Sequence, residues 1–342
     1  MAVRGATRMA LSRVVRRRAT FGALHRAARP CVAAGQLHTS ASFPLAANVA
    51  RQPARRSTAA ASGRKGDLAL SFGGSGLMLV YQAGVASAFH ACPDFMARVV
   101  RVLGTSGGAC VSLLLLASPQ LIEAALEHYC AGALFKGATL ADAVDPTERL
   151  LPRFVRELNL LPPDAYAVLA GAHGGPVFTA HVTPLRLPIQ NVAIGDFRDN
   201  DEVLAAVRAS CCLHPRGVEL RGERCVDGGL SDSLPLCENP ALDTVTVSPF
   251  AGNGIDIAPG LADTGGVHLV TPREVLKHER LLERGRAPRR LGNWIRFNPS
   301  VTNARALFDA AIPRGRAQAE LRFAAGRRDG AAFLQSLGHR PG

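Results

Sequence analysis

The feature that most constrains the fold is a Gly-x-Ser-x-Gly segment at residues 104–108, which lies between two apolar runs. Residues 98–103 are rich in valine, which is typical of a β-strand, and residues 109–117 form an apolar run typical of a buried helix. A serine in such a strand-to-helix turn takes a strained backbone conformation that exposes its hydroxyl. The segment therefore predicts an α/β fold in which Ser106 is a candidate nucleophile.

A second glycine-rich segment, residues 73–76 (Gly-Gly-Ser-Gly), lies between residues 67–72, which are typical of a strand, and residues 77–90, which are typical of a largely apolar helix. A phosphate-binding loop is one alternative, but the chain has no Gly-x-x-x-x-Gly-Lys, and Leu79 replaces the third glycine of a dinucleotide-binding fingerprint. Backbone N–H groups at a helix N-terminus can instead stabilise the oxyanion of a tetrahedral intermediate. We therefore predict that this segment is an oxyanion loop.

A third segment, residues 227–229 (Asp-Gly-Gly), offers a carboxylate. On its own such a segment is most often a turn, but a serine nucleophile needs a base, and Asp227 is a candidate. His268 is the alternative base, because Ser106, Asp227 and His268 occur in the chain order of an α/β-hydrolase triad. The simpler interpretation of His268, which we favour, is a half-buried strand residue.

These segments resemble the patatin-like phospholipase family, and in particular its adiponutrin and adipose triglyceride lipase branch. The resemblance extends over roughly residues 67–337. It is carried by segments that follow one another in the same order as in the family, at residues 71–85, 227–235, 247–252, 306–308 and 328–334. It implies a three-layer α/β fold, in which a mainly parallel sheet is flanked by helices and followed by a helical C-terminal extension.

The resemblance also implies which residues form the site. In that family a Ser–Asp dyad replaces the triad, so Ser106 would be the nucleophile and Asp227 its base, without a histidine. The oxyanion N–H groups would come from Gly74, Ser75 and Gly76. The glycines that support the two catalytic motifs would be Gly104, Gly108, Gly228 and Gly229.

The function implied by the resemblance is that of a serine lipid acyl hydrolase. It would cleave fatty-acyl esters of triacylglycerol, phospholipid or both through an acyl-enzyme, at a membrane or lipid-droplet surface. No cofactor or metal is implied, and the eight cysteines show no Cys-x-x-Cys ligand spacing. Two alternatives stay open: acyl transfer to another lipid alcohol, and a lipid-droplet scaffold without catalytic activity.

The formal charge of +13 comes entirely from residues 1–66, which contain 13 basic residues and no acidic one. An Arg-rich, acid-free leader is typical of an organelle transit peptide, and the dominance of arginine favours the mitochondrion over the plastid. The alternative is a disordered basic tail, which would leave the protein in the cytosol or on lipid droplets. Because the charges of the remaining chain balance, we expect no nucleic-acid binding.

We predict three regions: the leader 1–66, a catalytic domain 67–260 with a possible cap insert at 119–176, and a helical extension 261–342. The apolar runs are shorter than the ~18 residues of a membrane-spanning helix, so we expect peripheral lipid binding. Apolar residues interspersed with arginines make the extension a candidate lipid-binding surface, although they could equally pack onto the domain. They are Leu291, Trp294, Ile295 and Phe297.

Overall fold

The structure is a computed structural model that describes residues 66–132, 146–252, 255–264, 301–312 and 315–339. The strands are β1 (Leu68–Phe72), β2 (Val99–Thr105), β3 (Val177–Pro184), β4 (Val192–Ile194), β5 (Val218–Leu220), β6 (Glu223–Asp227) and β7 (Asp243–Val247). The helices are α1 (Leu79–His90), α2 (Pro93–Met96), α3 (Gly107–Ala117), α4 (Ile122–Cys130), α5 (Pro146–Glu157), α6 (Ala165–Leu169), α7 (Asn200–Cys211), α8 (Val301–Ala311) and α9 (Arg316–Ser336).

The described strands form one seven-stranded sheet in the order β5-β6-β3-β2-β1-β7, with β4 paired to β3. The strands β7, β1, β2 and β3 pair in parallel, whereas β4, β5 and β6 pair in antiparallel orientation. The predicted α/β fold is confirmed, and its sheet is mixed. Because parallel strands end at the same edge, the loops that follow β1 and β2 meet at the carboxyl edge of the sheet.

The core is built around β1, which is buried along its whole length. A strand with no exposed face is covered on both sides of the sheet, which explains why four of its five residues are apolar. The helix α1 is also buried over most of its length, with α9 packed along it. The largest fully buried side chains are those of Tyr81, Phe72, Phe89, Phe95 and Phe178.

The helices α1 and α9 cross in close contact at two glycines. A Cβ atom at Gly84 would lie 2.1 Å from the carbonyl oxygen of Phe323, and one at Gly326 would lie 1.9 Å from the carbonyl oxygen of Tyr81. Neither distance leaves room for a side chain, so both positions require glycine. The C-terminal helix is therefore part of the same core as the sheet.

A buried carboxylate lies beside this crossing and connects three segments. Asp329 is 2% exposed and accepts hydrogen bonds from the Tyr81 hydroxyl at 2.9 Å, the Gly260 N–H at 3.1 Å and the Ala262 N–H at 2.7 Å. Burial and the neighbouring carboxylate raise the pKa of Tyr81 well above its usual range, so its hydroxyl stays a donor. Asp329 thereby joins α1, α9 and the segment that follows β7.

Two features near β3 differ from what the sequence indicates. Residues 189–194 are typical of a strand in sequence, but only Val192–Ile194 form one, because residues 185–190 form an exposed loop that contains Pro188. The strands β5 and β6 were not predicted, since both are short and have exposed residues. Asp227 is the last residue of β6, so it lies at the end of a strand and not in an isolated turn.

The described parts of the predicted cap insert, residues 119–132 and 146–176, pack against the main core. Ile122, Ala125 and Val155 are buried in the same hydrophobic cluster as β1 and α1. Among the helices that the structure describes, none alone is long and apolar enough to cross a membrane. Residues 107–117 and 119–130 pass that test only together, as a pair bent by 116°.

Three sequence predictions concern residues that the structure does not describe. They are the leader up to residue 65, the alternative base His268 and the candidate lipid-binding residues Leu291, Trp294, Ile295 and Phe297.

Candidate active site

Ser106 occupies the strained turn predicted from the sequence. It lies between the end of β2 and the start of α3, with φ 55° and ψ −130°, which few residues other than glycine adopt. A Cβ atom at Gly104 would lie 2.5 Å from the Cα of Ala109, and one at Gly108 would lie 2.2 Å from the carbonyl oxygen of Phe72. The two flanking glycines therefore let α3 pack directly against the strand ends.

Asp227 ends β6 and Ser106 follows β2, and these two strands lie on either side of β3. Thr105 pairs with His181 on one side of β3, and Asp227 pairs with Val182 on the other. The Asp227 carboxylate accepts a hydrogen bond from the Gly229 N–H at 2.7 Å and another from the Ser106 hydroxyl. The two residues predicted as a dyad thus have neighbouring side chains, and Ser106 acts on the pKa of Asp227.

Burial changes the acid–base behaviour of this carboxylate. Asp227 is 4% exposed, and its burial raises its pKa to about 6, although the hydrogen bonds from Ser106 and Gly229 act in the opposite direction. A carboxylate with such a pKa is ionised at neutral pH and is a stronger base than an ordinary aspartate. Asp227 can therefore accept a proton from the hydroxyl that it contacts.

The glycines after Asp227 are required by close packing. A Cβ atom at Gly228 would lie 2.1 Å from the carbonyl oxygen of His181, and one at Gly229 would lie 2.9 Å from Oδ1 of Asp227. A side chain at either position would displace the carboxylate or β3. The Asp-Gly-Gly motif is explained by this geometry.

The predicted oxyanion loop lies against the serine, but one of its three donors is engaged. A Cβ atom at Gly74 would lie 3.6 Å from the Cβ of Ser106, whereas the Gly74 N–H donates to the carbonyl oxygen of Ser233 at 2.7 Å. Within the described part of the chain, the N–H groups of Ser75 and Gly76 have no hydrogen-bond acceptor. The prediction for Gly74 therefore needs correction, since its N–H supports the loop.

Contacts from both ends of the chain fix the shape of this loop. The side-chain amide of Gln82 donates to the carbonyl oxygens of Gly73 at 2.9 Å and Val247 at 3.2 Å. Gly76 has φ +50°, and a Cβ atom there would lie 2.5 Å from the carbonyl oxygen of Ala310 in α8. The loop is thus enclosed between α1 and the C-terminal helices.

A polar network that was not predicted lies behind Asp227. The ring Nδ1–H of His181 donates to Oδ1 of Asn191 at 2.6 Å, and Nδ2 of Asn191 donates to the Ser231 hydroxyl at 3.0 Å and the Gly228 carbonyl at 3.3 Å. The Thr183 hydroxyl donates to the Asp227 carbonyl at 2.8 Å. Burial lowers the pKa of His181, so the ring is neutral at pH 7.

One sequence signal could have revealed this network. The polar residues Thr179, His181 and Thr183 alternate along β3, which is otherwise apolar and buried. A polar residue at every second position of a buried strand needs buried partners. Within the residues that the structure describes, no cluster of histidine, cysteine and carboxylate side chains could bind a metal ion.

The fold and the site together define an α/β protein with a serine at a nucleophile elbow. Residues 70–238 match the family model for patatin-like phospholipases. Through this domain, the chain belongs to the patatin-like phospholipase family, as its sequence motifs predicted.

Relatives of known name agree with this assignment. Human patatin-like phospholipase domain-containing protein 2 is 33% identical over 200 residues, which cover 56% of this chain and 37% of that protein. Human 1-acylglycerol-3-phosphate O-acyltransferase PNPLA3 is 31% identical over 209 residues, covering 58% and 41%. Human patatin-like phospholipase domain-containing protein 4 is 27% identical over 238 residues, covering 68% and 86%. The chain thus spans well under half the length of the first two relatives.

Proposed function

We propose that this protein is a serine lipid acyl hydrolase. The observation that carries the proposal is the contact between a serine hydroxyl at a strained elbow and a buried aspartate with a pKa of about 6. Ser106 attacks the carbonyl carbon of a fatty-acyl ester while Asp227 accepts its proton. The buried carboxylate then returns the proton to the leaving alcohol.

The negative charge that develops on the carbonyl oxygen needs donors near Ser106. The N–H groups of Ser75 and Gly76 and the N-terminus of α3 are the candidates, because α3 begins directly after the serine and its first residue, Gly107, lies against Ser75 and Gly76. In the second half of the reaction, Asp227 deprotonates a water molecule that attacks the acyl-enzyme. The ester bond to Ser106 breaks, the proton returns from Asp227 to the serine oxygen, and the fatty acid leaves. Each N–H donor to the oxyanion lowers the activation barrier by roughly 3–4 kcal/mol.

The proposed substrates are acyl esters of triacylglycerol, phospholipid or both, at a membrane or lipid-droplet surface. Family membership supports a lipid substrate, since the matching family is named for phospholipase activity. Comparing the products released from triacylglycerol and phospholipid vesicles by the purified protein would decide between the two classes.

Acyl transfer is the second candidate function, and the name of one relative favours it. The two reactions share the acyl-enzyme and differ only in whether water or a lipid alcohol accepts the acyl group. Adding a lysophospholipid or a monoacylglycerol acceptor to the assay would separate them. A transferase would form the acylated acceptor at the expense of free fatty acid.

Ser106→Ala tests the nucleophile, and a fluorophosphonate probe tests it independently of any lipid. We expect the variant to lose about 10⁶-fold in ester turnover and to lose labelling altogether, because its hydroxyl forms the covalent bond. A lipid-droplet scaffold would have no activated serine, so absence of labelling in the unmodified protein would favour that alternative. A folded variant that keeps more than about a tenth of the activity contradicts the proposal.

We further propose that residues 1–66 direct the protein to the mitochondrion, on the strength of their charge and composition. A fluorescent fusion of this segment tests the proposal in cells. Import into mitochondria is the expected result, and a cytosolic fusion would overturn it.

A further inference from the structure

Ser210 lies near the end of α7, and its hydroxyl is placed between two backbone groups of the site. The side chain is fully buried. Its oxygen accepts a hydrogen bond from the Ser106 N–H at 2.9 Å, and its hydrogen is donated to the His181 carbonyl at 2.7 Å. One hydroxyl therefore connects the nucleophile elbow to β3.

The Ser106 N–H has no partner in the sheet. The register between β2 and β3 ends at Thr105, which pairs with His181. A non-glycine backbone with φ 55° is strained and persists only where its surroundings fix it. Ser210 supplies one such contact at the strained residue itself.

The same turn of α7 also contacts the backbone of the aspartate. The carbonyl oxygen of Cys212, two residues after Ser210, accepts a hydrogen bond from the Asp227 N–H at 2.8 Å. The end of α7 therefore touches the main chain of both members of the dyad. A shift of either contact changes the geometry between the Ser106 hydroxyl and the Asp227 carboxylate.

From this arrangement we infer that Ser210 is a positioning residue, which orients Ser106 toward Asp227 without touching the substrate. The inference rests on the proposed function, because it assigns Ser210 a role in the same reaction. Removing the hydroxyl takes away the hydrogen bonds that it makes with the Ser106 N–H and the His181 carbonyl, so the elbow relaxes away from its reactive conformation. A displacement of about 1 Å at a reacting group can slow a reaction by about 10²-fold.

The test compares Ser210→Ala with Ser118→Ala. Ser118 is a matched control because it is also buried and its hydroxyl donates to a backbone carbonyl, that of Leu160 at 3.0 Å, away from the dyad. For Ser210→Ala we expect kcat on a soluble short-chain ester and the rate of fluorophosphonate labelling to fall roughly 10- to 100-fold, with KM unchanged. For Ser118→Ala both rates should stay within about twofold of the unmodified protein.

The pH profile gives a readout that a purely structural role would not move. The hydrogen bond from Ser106 lowers the pKa of Asp227, so a weaker bond in Ser210→Ala should shift the acid limb of kcat/KM to higher pH. Of the titratable groups near Asp227, Cys211 has its pKa raised well above the usual range by its hydrogen bond with Cys110 and by burial, and stays a neutral thiol. Burial lowers the pKa of His181, so its ring is neutral at pH 7. Ser118→Ala should leave the limb unchanged, and Ser210→Thr should restore it.

Three outcomes decide the inference. If Ser210→Ala matches Ser118→Ala in rate, labelling and pH profile, Ser210 has no positioning role. If Ser210→Ala does not fold, Ser210→Cys replaces it, because a thiol is of similar shape but only a weak donor and acceptor. Ser106→Ala in the same series separates the two claims. If Ser106→Ala is active, the proposed function is overturned. If Ser106→Ala is inactive and Ser210→Ala behaves like the unmodified protein, only the positioning role is overturned.

Discussion

Two buried aspartates in this molecule are each followed by glycine but have different surroundings. Asp227 and Asp329 are each followed by glycine, and they are 4% and 2% exposed. Asp329 accepts hydrogen bonds from a tyrosine hydroxyl and two backbone N–H groups. Asp227 accepts one from a backbone N–H and one from the Ser106 hydroxyl, and burial raises its pKa to about 6.

The difference lies in the donors that compensate for burial. Fixed N–H and O–H donors stabilise a carboxylate as a structural acceptor, and Asp329 has three of them. Asp227 has one fixed N–H donor, and its second partner is a hydroxyl whose proton it can accept. We conclude that the partners, more than burial or the following glycine, distinguish the proposed catalytic base from the structural carboxylate.

The largest expected effect is that of Asp227→Asn, which keeps the shape and the acceptor oxygen for Gly229 but cannot act as a base. We expect ester turnover to fall by about 10⁴-fold. Because the folded-state pKa of about 6 exceeds the ordinary aspartate value of 3.8, ionisation of Asp227 costs stability as the pH rises through this interval. The variant should therefore be more stable than the unmodified protein at pH 8, by up to about 3 kcal/mol in chemical denaturation.

The next effect is the pH dependence of the reaction. The base must be ionised, so kcat/KM on a soluble ester should have an acid limb near the Asp227 pKa of about 6 and fall about tenfold per pH unit below it. Asp329→Asn is the control and should leave the midpoint in place. A midpoint near pH 4 would indicate a base with an ordinary carboxylate pKa.

Asp329→Asn applies the same exchange to the structural carboxylate. The NH₂ group of the asparagine would face the three donors that now bind the Asp329 carboxylate. We therefore expect the free energy of unfolding to fall by about 1–3 kcal/mol. Turnover per folded molecule should stay close to that of the unmodified protein. The comparison fails if Asp227→Asn and Asp329→Asn change stability in the same direction at pH 8.

The smallest expected effect is that of Tyr81→Phe, which removes one of the three donors to Asp329. The two N–H donors remain, so we expect a loss of about 1 kcal/mol in the free energy of unfolding. Denaturation of Tyr81→Phe, Asp329→Asn and the double variant would show whether the two changes act through the same contact. Independent, additive losses would contradict the hydrogen bond described here.

The sequence was sufficient for the parts of the fold and site that depend on local pattern. The runs on either side of Ser106 predicted β2 and α3 because continuous apolar segments beside a glycine turn have few alternatives. The Asp-Gly-Gly motif indicated the carboxylate, and the family resemblance paired it with the serine. These predictions needed only neighbouring residues or motifs in chain order.

What the sequence did not reveal depends on contacts between distant segments. Ser210 lies 104 residues from Ser106, and Asn191 reaches Gly228 across 37 positions, so no local pattern connects either pair. The oxyanion prediction included Gly74 because the sequence does not show which backbone N–H groups of a loop are already hydrogen-bonded. Only the position of the Ser233 carbonyl distinguishes the Gly74 N–H from those that follow.

The crossing of α1 and α9 has a consequence for how the chain is made. The Tyr81–Asp329 bond spans 248 positions, so a ribosome that adds about 5–20 residues per second needs roughly 12 to 50 s to deliver the second partner after the first. During that time α1, which is apolar on nearly every side, has no α9 to cover it. Synthesis therefore passes through an interval in which a buried helix of the finished protein is exposed to chaperones and to aggregation.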